Sequence, residues 1–134
     1  MIVVDSNVVA YLFIPGEHTE AARRTLLRDA AWAAPALWRS ELRNVLALYV
    51  GRGDLALADA QDVQREAERL LAGREFDVTS DDVLALAAAS GRSAYDCEFV
   101  AVARALGVPL VTADGQVLKS FPEVAVALSA YGAT

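Results

Sequence analysis

Short, unbroken apolar runs alternate along this chain with longer segments in which apolar residues recur every three to four positions. The first run, Ile2-Val3-Val4, is β-branched and predicts a buried strand. A helix is expected over residues 7–13, stopped by Pro15-Gly16. A second covers 17–28, with Ala21, Ala22, Thr25 and Leu26 on one side and Arg23, Arg24 and Arg28 on the other. Residues 31–34 predict a strand against the helical preference of alanine, and Pro35 suits the start of a helix. That helix runs to about Val50 and closes at Gly51 and Gly53.

The segment 55–71 is amphipathic, with Val63, Ala67 and Leu70 inward. Residues 76–78 predict a third strand, and Thr79 or Ser80 caps a helix over 82–89 whose first turn is acidic. A helix over 94–106 ends at Gly107, and strands follow over 108–111 and 124–128. Strands of this length alternating with helices imply a parallel sheet covered on both faces. Right-handed crossovers put every strand's C-terminal end on one edge, where ligands bind in such sheets. The length of 134 residues suits one domain, 1–134.

Composition narrows the class. The chain is 55% apolar and 22% charged, which is globular. No apolar stretch reaches the ~18 residues a membrane helix needs, and none resembles a signal peptide. Its single cysteine, Cys97, forms no internal disulfide, so a reducing, cytoplasmic setting is expected. The net charge of −6 argues at first against nucleic acid, but a cluster of metal-binding acids would supply much of it.

Four acids point to one place. Asp5 follows the first strand and Asp114 follows the fourth, so both belong on the C-terminal edge. Asp96 opens the helix SAYDCEFVAVARAL and shares a stripe with Val100 and Ala103. Glu41, in PALWRSELRNVLALYV, aligns with Leu37, Val45 and Leu48. Taken singly, each has a plain reading: Asp5 a cap, Glu41 an exposed helix residue, Asp96 a favourable helix N-terminus, Asp114-Gly115 a turn. Taken together, converging carboxylates without Lys or His in the same segments need a cation. An oxygen-only site suits Mg²⁺ or Mn²⁺, and one His and one Cys disfavour zinc. Such ions serve phosphoryl chemistry.

The segments MIVVDSN, the helix carrying Glu41, SAYDCEFVAVARALGVP and LVTAD resemble the PIN-domain ribonucleases, and most closely the VapC toxins of bacterial toxin–antitoxin pairs. The resemblance covers essentially the whole chain. It implies a PIN-like three-layer α/β/α sandwich with a short five-stranded parallel sheet. It maps the family's acidic quartet onto Asp5, Glu41, Asp96 and Asp114, and supporting polar residues onto Asn7 and Thr112. It further implies Mg²⁺- or Mn²⁺-dependent cleavage of RNA (transfer or ribosomal RNA among the candidates), a homodimer, and a cognate antitoxin that blocks the site. Some relatives carry a further acid after the T-x-D motif. Gly115-Gln116-Val117-Leu118 offers none, so a second metal position is expected to be weakly filled.

On this reading Asp5, Asp96 and Asp114 hold one or two ions. Glu41, counted with them among the metal ligands, also orients or deprotonates the attacking water. Arg39, Arg43 and Arg92 are candidates for RNA phosphate contacts. His18 reads as a surface residue, and Trp32 and Trp38 as core. Three rivals remain: an aspartyl phosphatase, which needs a partner Lys where only Lys119 is available; a receiver-type module phosphorylated at Asp81; and an inert PIN-like binding module.

Overall fold

The computed structural model describes residues 1–133. Strands β1 (Ile2–Val4), β2 (Trp32–Pro35), β3 (Glu75–Phe76), β4 (Leu110–Thr112) and β5 (Ala125–Ala127) form one parallel sheet in the order β3-β2-β1-β4-β5. Residue pairs Val3–Ala33 and Val3–Leu110 set the register of the central strand against both neighbours. The helices are α1 (Ser6–Phe13), α2 (Thr19–Arg28), α3 (Leu37–Gly51), α4 (Leu57–Leu70), α5 (Ser80–Ser90), α6 (Ala94–Leu106), α7 (Gly115–Ser120) and α8 (Leu128–Tyr131).

The chain builds outward from β1 to β2 and β3, then returns to the other side of β1 for β4 and β5. With right-handed crossovers that reversal puts the helices of the first half and the α5–α6 pair on opposite faces. Helices α1, α3 and α4 pack in series, while α6 lies along β1, β2 and β4. β1 and β4 are buried at every position, as a sheet covered on both faces requires. Trp32, Trp38, Leu42 and Val100 complete a core closed to solvent. The reversal also makes the C-terminal ends of β1 and β4 the switch point at which open α/β sheets bind ligands.

Several boundaries differ from expectation. Pro35 ends β2 instead of opening a helix; its residue pairing with Phe76 is the last rung, where a missing N–H costs least. The alanines of β2 are strand because burial on both faces overrides propensity. Leu48, expected inward with Glu41, is 58% exposed. The buried stripe of α3 is Trp38, Leu42 and Leu46, and Leu37, Glu41 and Val45 form its half-buried shoulder. The short helices α7 and α8 were not foreseen: they follow Asp114-Gly115, which reads as a turn, and the shortened β5. Trp32 and Trp38 are core, as expected, and Cys97 is buried with them. Among the described residues no helix is long and apolar enough to cross a membrane.

Candidate active site

Asp5 is the residue on which β1 ends and α1 begins. Its extended backbone makes it the N-cap, and its Oδ1 accepts the N–H of Val8 at 3.0 Å. Its other oxygen accepts a hydrogen bond from the Thr112 hydroxyl, at the end of β4. The same Thr112 oxygen accepts the N–H of Asp114 at 3.0 Å. Asp114 in turn caps α7, its Oδ1 accepting from Gln116 N–H at 2.8 Å and Val117 N–H at 3.3 Å. One hydroxyl therefore joins the two acids at the switch point.

Glu41 arrives from the shoulder of α3, where the Ser6 hydroxyl donates to its Oε1 at 2.8 Å. Asp96 stands in the first turn of α6, which Ser93 caps by accepting the Asp96 N–H at 3.0 Å. Asp5, Glu41, Asp96 and Asp114 all line a single cavity of about 370 Å³, together with Asn7 and Thr112. No Lys, Arg or His lines that cavity among the described residues.

Carboxylates crowded without a cation are hard to ionise, as Asp5 and Asp96 show. Burial, with a contribution from Asp114, raises Asp5 to a pKa of about 6 despite the opposing hydrogen bond from Thr112. Burial and Asp114 likewise raise Asp96, with Arg92 pulling the other way. Burial and the neighbouring Glu41 raise Glu98, one turn from the cavity wall on α6.

Among the described residues no three His, Cys, Asp or Glu side chains stand as a ready-made metal cage. The reason is visible in the hydrogen bonds: Asp5, Glu41 and Asp114 are each held by a neighbouring donor. A carboxylate has about four lone-pair sites, so these bonds leave acceptors over. The donor set fits a hard divalent ion: all oxygen, multiply anionic, and edged by the neutral oxygens of Asn7 and Thr112.

Of the three arginines expected near substrate, Arg39 is engaged elsewhere. It makes a bidentate pair with Glu75, both contacts 2.7 Å, and reaches Glu68 at 3.0 Å, tying α3 to β3 and α4. Glu75 also accepts from Trp38 Nε1 at 2.8 Å, and the pair lowers the Glu75 pKa while raising that of Arg39. Arg43 is exposed on α3. Arg92 lies near Asp96, and its Nε is buried without a partner among the described residues. Asp81, in the first turn of α5, and Lys119, on α7, do not line the cavity.

Sequence reasoning missed four polar lining residues: Ser6, Ser40, Asn44 and Tyr95. Ser40 and Asn44 precede and follow the Glu41–Arg43 segment and share its wall of the cavity. Ser6 was readable only as the residue after Asp5; nothing in the sequence pairs it with a glutamate 35 positions away.

Comparison with known proteins accords with this geometry. The chain is 30% identical over 124 residues to Ribonuclease VapC3 of Pyrobaculum aerophilum, a match covering 90% of this chain and 95% of that protein. The PIN domain model matches residues 2–125. The matched span takes in β1 to β4, the first residue of β5 and every acid of the cavity, and this chain belongs to the PIN domain family.

Proposed function

We propose that the acidic cavity is the active site of a divalent-metal-dependent endoribonuclease. The observation that carries this reading is the convergence of Asp5, Glu41, Asp96 and Asp114 on one cavity whose lining supplies no positive charge. Asp5, Asp96 and Asp114 would hold Mg²⁺ or Mn²⁺, with Glu41 beside them. When bound, the ion supplies positive charge next to the scissile phosphate and makes water a better nucleophile at neutral pH.

The chain's own groups do the rest. Glu41, positioned by Ser6, takes the proton of the water whose oxygen attacks phosphorus. The phosphorus–oxygen bond to the leaving nucleotide breaks as the new one forms, and the departing oxygen takes a proton from solvent. Thr112 holds Asp5 and Asp114 in fixed relation. Asn7, exposed at the cavity mouth, offers an amide to the substrate. Arg43 and Arg92 meet the RNA backbone.

The phosphatase rival lacks a cation in the cavity, since Lys119 stands outside it. By similarity to the VapC protein, this chain would act as the toxin of a toxin–antitoxin pair, kept inactive by a cognate antitoxin. Dimerisation and a cytoplasmic setting belong to the same reading.

The test is cleavage of end-labelled total RNA in Mn²⁺ or Mg²⁺. The unmodified protein should cut at discrete sites and stop when the metal is chelated. Asp5→Asn and Asp96→Asn should be folded and inactive; cleavage by either at the unmodified rate would refute the reading.

A further inference from the structure

A second cavity of about 280 Å³ adjoins the acidic one and shares Asn7 and Val45 with it. Its distinctive lining is three ring side chains: Tyr11, His18 and Tyr49. The Tyr11 and His18 rings already lie against each other, with centroids 4.5 Å apart and planes tilted by 36°. Arg52 lies over the third ring, 4.7 Å from the centroid of Tyr49.

Two helices aim the acidic and aromatic cavities along one line. On α1, Asn7 and Tyr11 are four residues apart on one face, so Tyr11 lies ~6 Å further along the helix axis. On α3, Glu41, Val45 and Tyr49 repeat that spacing. The helix faces that present Asn7 and Glu41 to the first cavity thus present Tyr11 and Tyr49 to the second. Because α1 and α3 pack together, the two stripes form opposite walls of one trough.

We propose that this aromatic cavity is a nucleobase subsite, which holds one base of the RNA strand next to the cleaved phosphodiester and gives the enzyme a nucleotide preference. The proposal rests on the ribonuclease reading of the acidic cavity. Single-stranded nucleic acid is bound by stacking bases on Tyr and His rings beside a site that handles the backbone. A volume of about 280 Å³ suits one planar group, whereas a protein helix would need a long groove. The Glu17 carboxylate at the rim accepts hydrogen bonds from the N–H edge of a base.

The test uses an oligoribonucleotide spanning a site mapped for the unmodified protein, with one abasic residue placed in turn at each position flanking the cleaved bond. At one position, base removal should lower kcat/KM about tenfold or more, chiefly through KM. Tyr11→Leu and Tyr49→Leu should show the same reduced rate on intact RNA and no further loss on the abasic RNA. His18→Ala, at a half-buried position in the loop before α2, should shrink the abasic penalty and serves if either Leu variant fails to fold. Equal abasic penalties in the unmodified protein and the variants, or no sensitive position, would overturn the subsite while leaving the ribonuclease reading intact. Equal penalties combined with weakened binding of a purified partner protein would give the cavity to that protein instead. Absence of any RNA cleavage by the unmodified protein would overturn both.

Discussion

Thr112 donates its hydroxyl hydrogen to Asp5 and accepts the backbone N–H of Asp114 on the same oxygen. One buried side chain thus ties the Asp5 carboxylate to the backbone of Asp114, two acids that follow adjacent strands. Thr112→Val keeps the shape and removes both bonds. It should cost about 1–3 kcal/mol of stability, because both partners lose a buried hydrogen bond. It should also raise the Asp5 pKa further, since Thr112 is the group that lowers it most. The pH–rate profile for RNA cleavage would move its acidic limb to higher pH; an unmoved limb would show that Thr112 does not govern Asp5.

The Ser6–Glu41 bond makes a separate prediction. Ser6→Ala frees Glu41 without touching any acid of the site. Loss of a group that orients a metal-site residue typically costs 10–100-fold in affinity or activity, and about tenfold is expected here in kcat. Circular dichroism should show an unchanged fold. A kcat equal to that of the unmodified protein would mean that Glu41 needs no positioning.

Much of this arrangement was legible in the sequence. β1 is an unbroken β-branched run, and an acid directly after it lands on the sheet edge by geometry alone. Asp96 was readable from the apolar positions of Val100 and Ala103, which are fully buried. What escaped was long-range. Asp114-Gly115 looks like a turn, because six residues of α7 carry too little periodicity to announce a helix. Arg39 looks like a free cation beside Glu41, because its partner Glu75 lies on a strand of only two residues whose pairing local pattern does not reveal. The aromatic cavity joins residues of α1, the loop after it and α3, and only the packed structure brings these together.

The arginines should separate cleanly. Arg39→Ala breaks the bidentate pair with Glu75 and the link to Glu68, so it should lower the unfolding free energy by about 1–3 kcal/mol. It should leave the salt dependence of RNA binding unchanged. Arg43→Ala should spare stability and reduce the slope of log K against log salt by about 0.7, the value for one phosphate contact on a single strand. The reverse pattern in fluorescence-anisotropy titrations would exchange their roles.

The raised pKa of Asp5 carries a sign. The folded protein holds this proton up to a pH of about 6, against 3.8 for an ordinary Asp, so between those values the folded state binds more protons than the unfolded. Stability of the metal-free protein from this group is therefore full below pH 3.8 and is lost as pH rises through about 6, by something of order 3 kcal/mol. Asp5→Asn removes the penalty. Urea unfolding of the metal-free proteins should show the variant more stable at pH 8, with the difference vanishing near pH 4. A constant difference across that range would contradict the assignment.

The central claim is that Asp5, Asp96 and Asp114 hold a divalent ion beside Glu41, and calorimetric titration of Mn²⁺ at pH 7.5 tests it most directly. The account predicts measurable uptake by the unmodified protein, weakened at least tenfold by Asp5→Asn, Asp96→Asn or Asp114→Asn, and unaffected by Asp81→Asn outside the cavity. No uptake by the unmodified protein, even with a non-cleavable RNA analogue present, or equal uptake by all four variants, would contradict it.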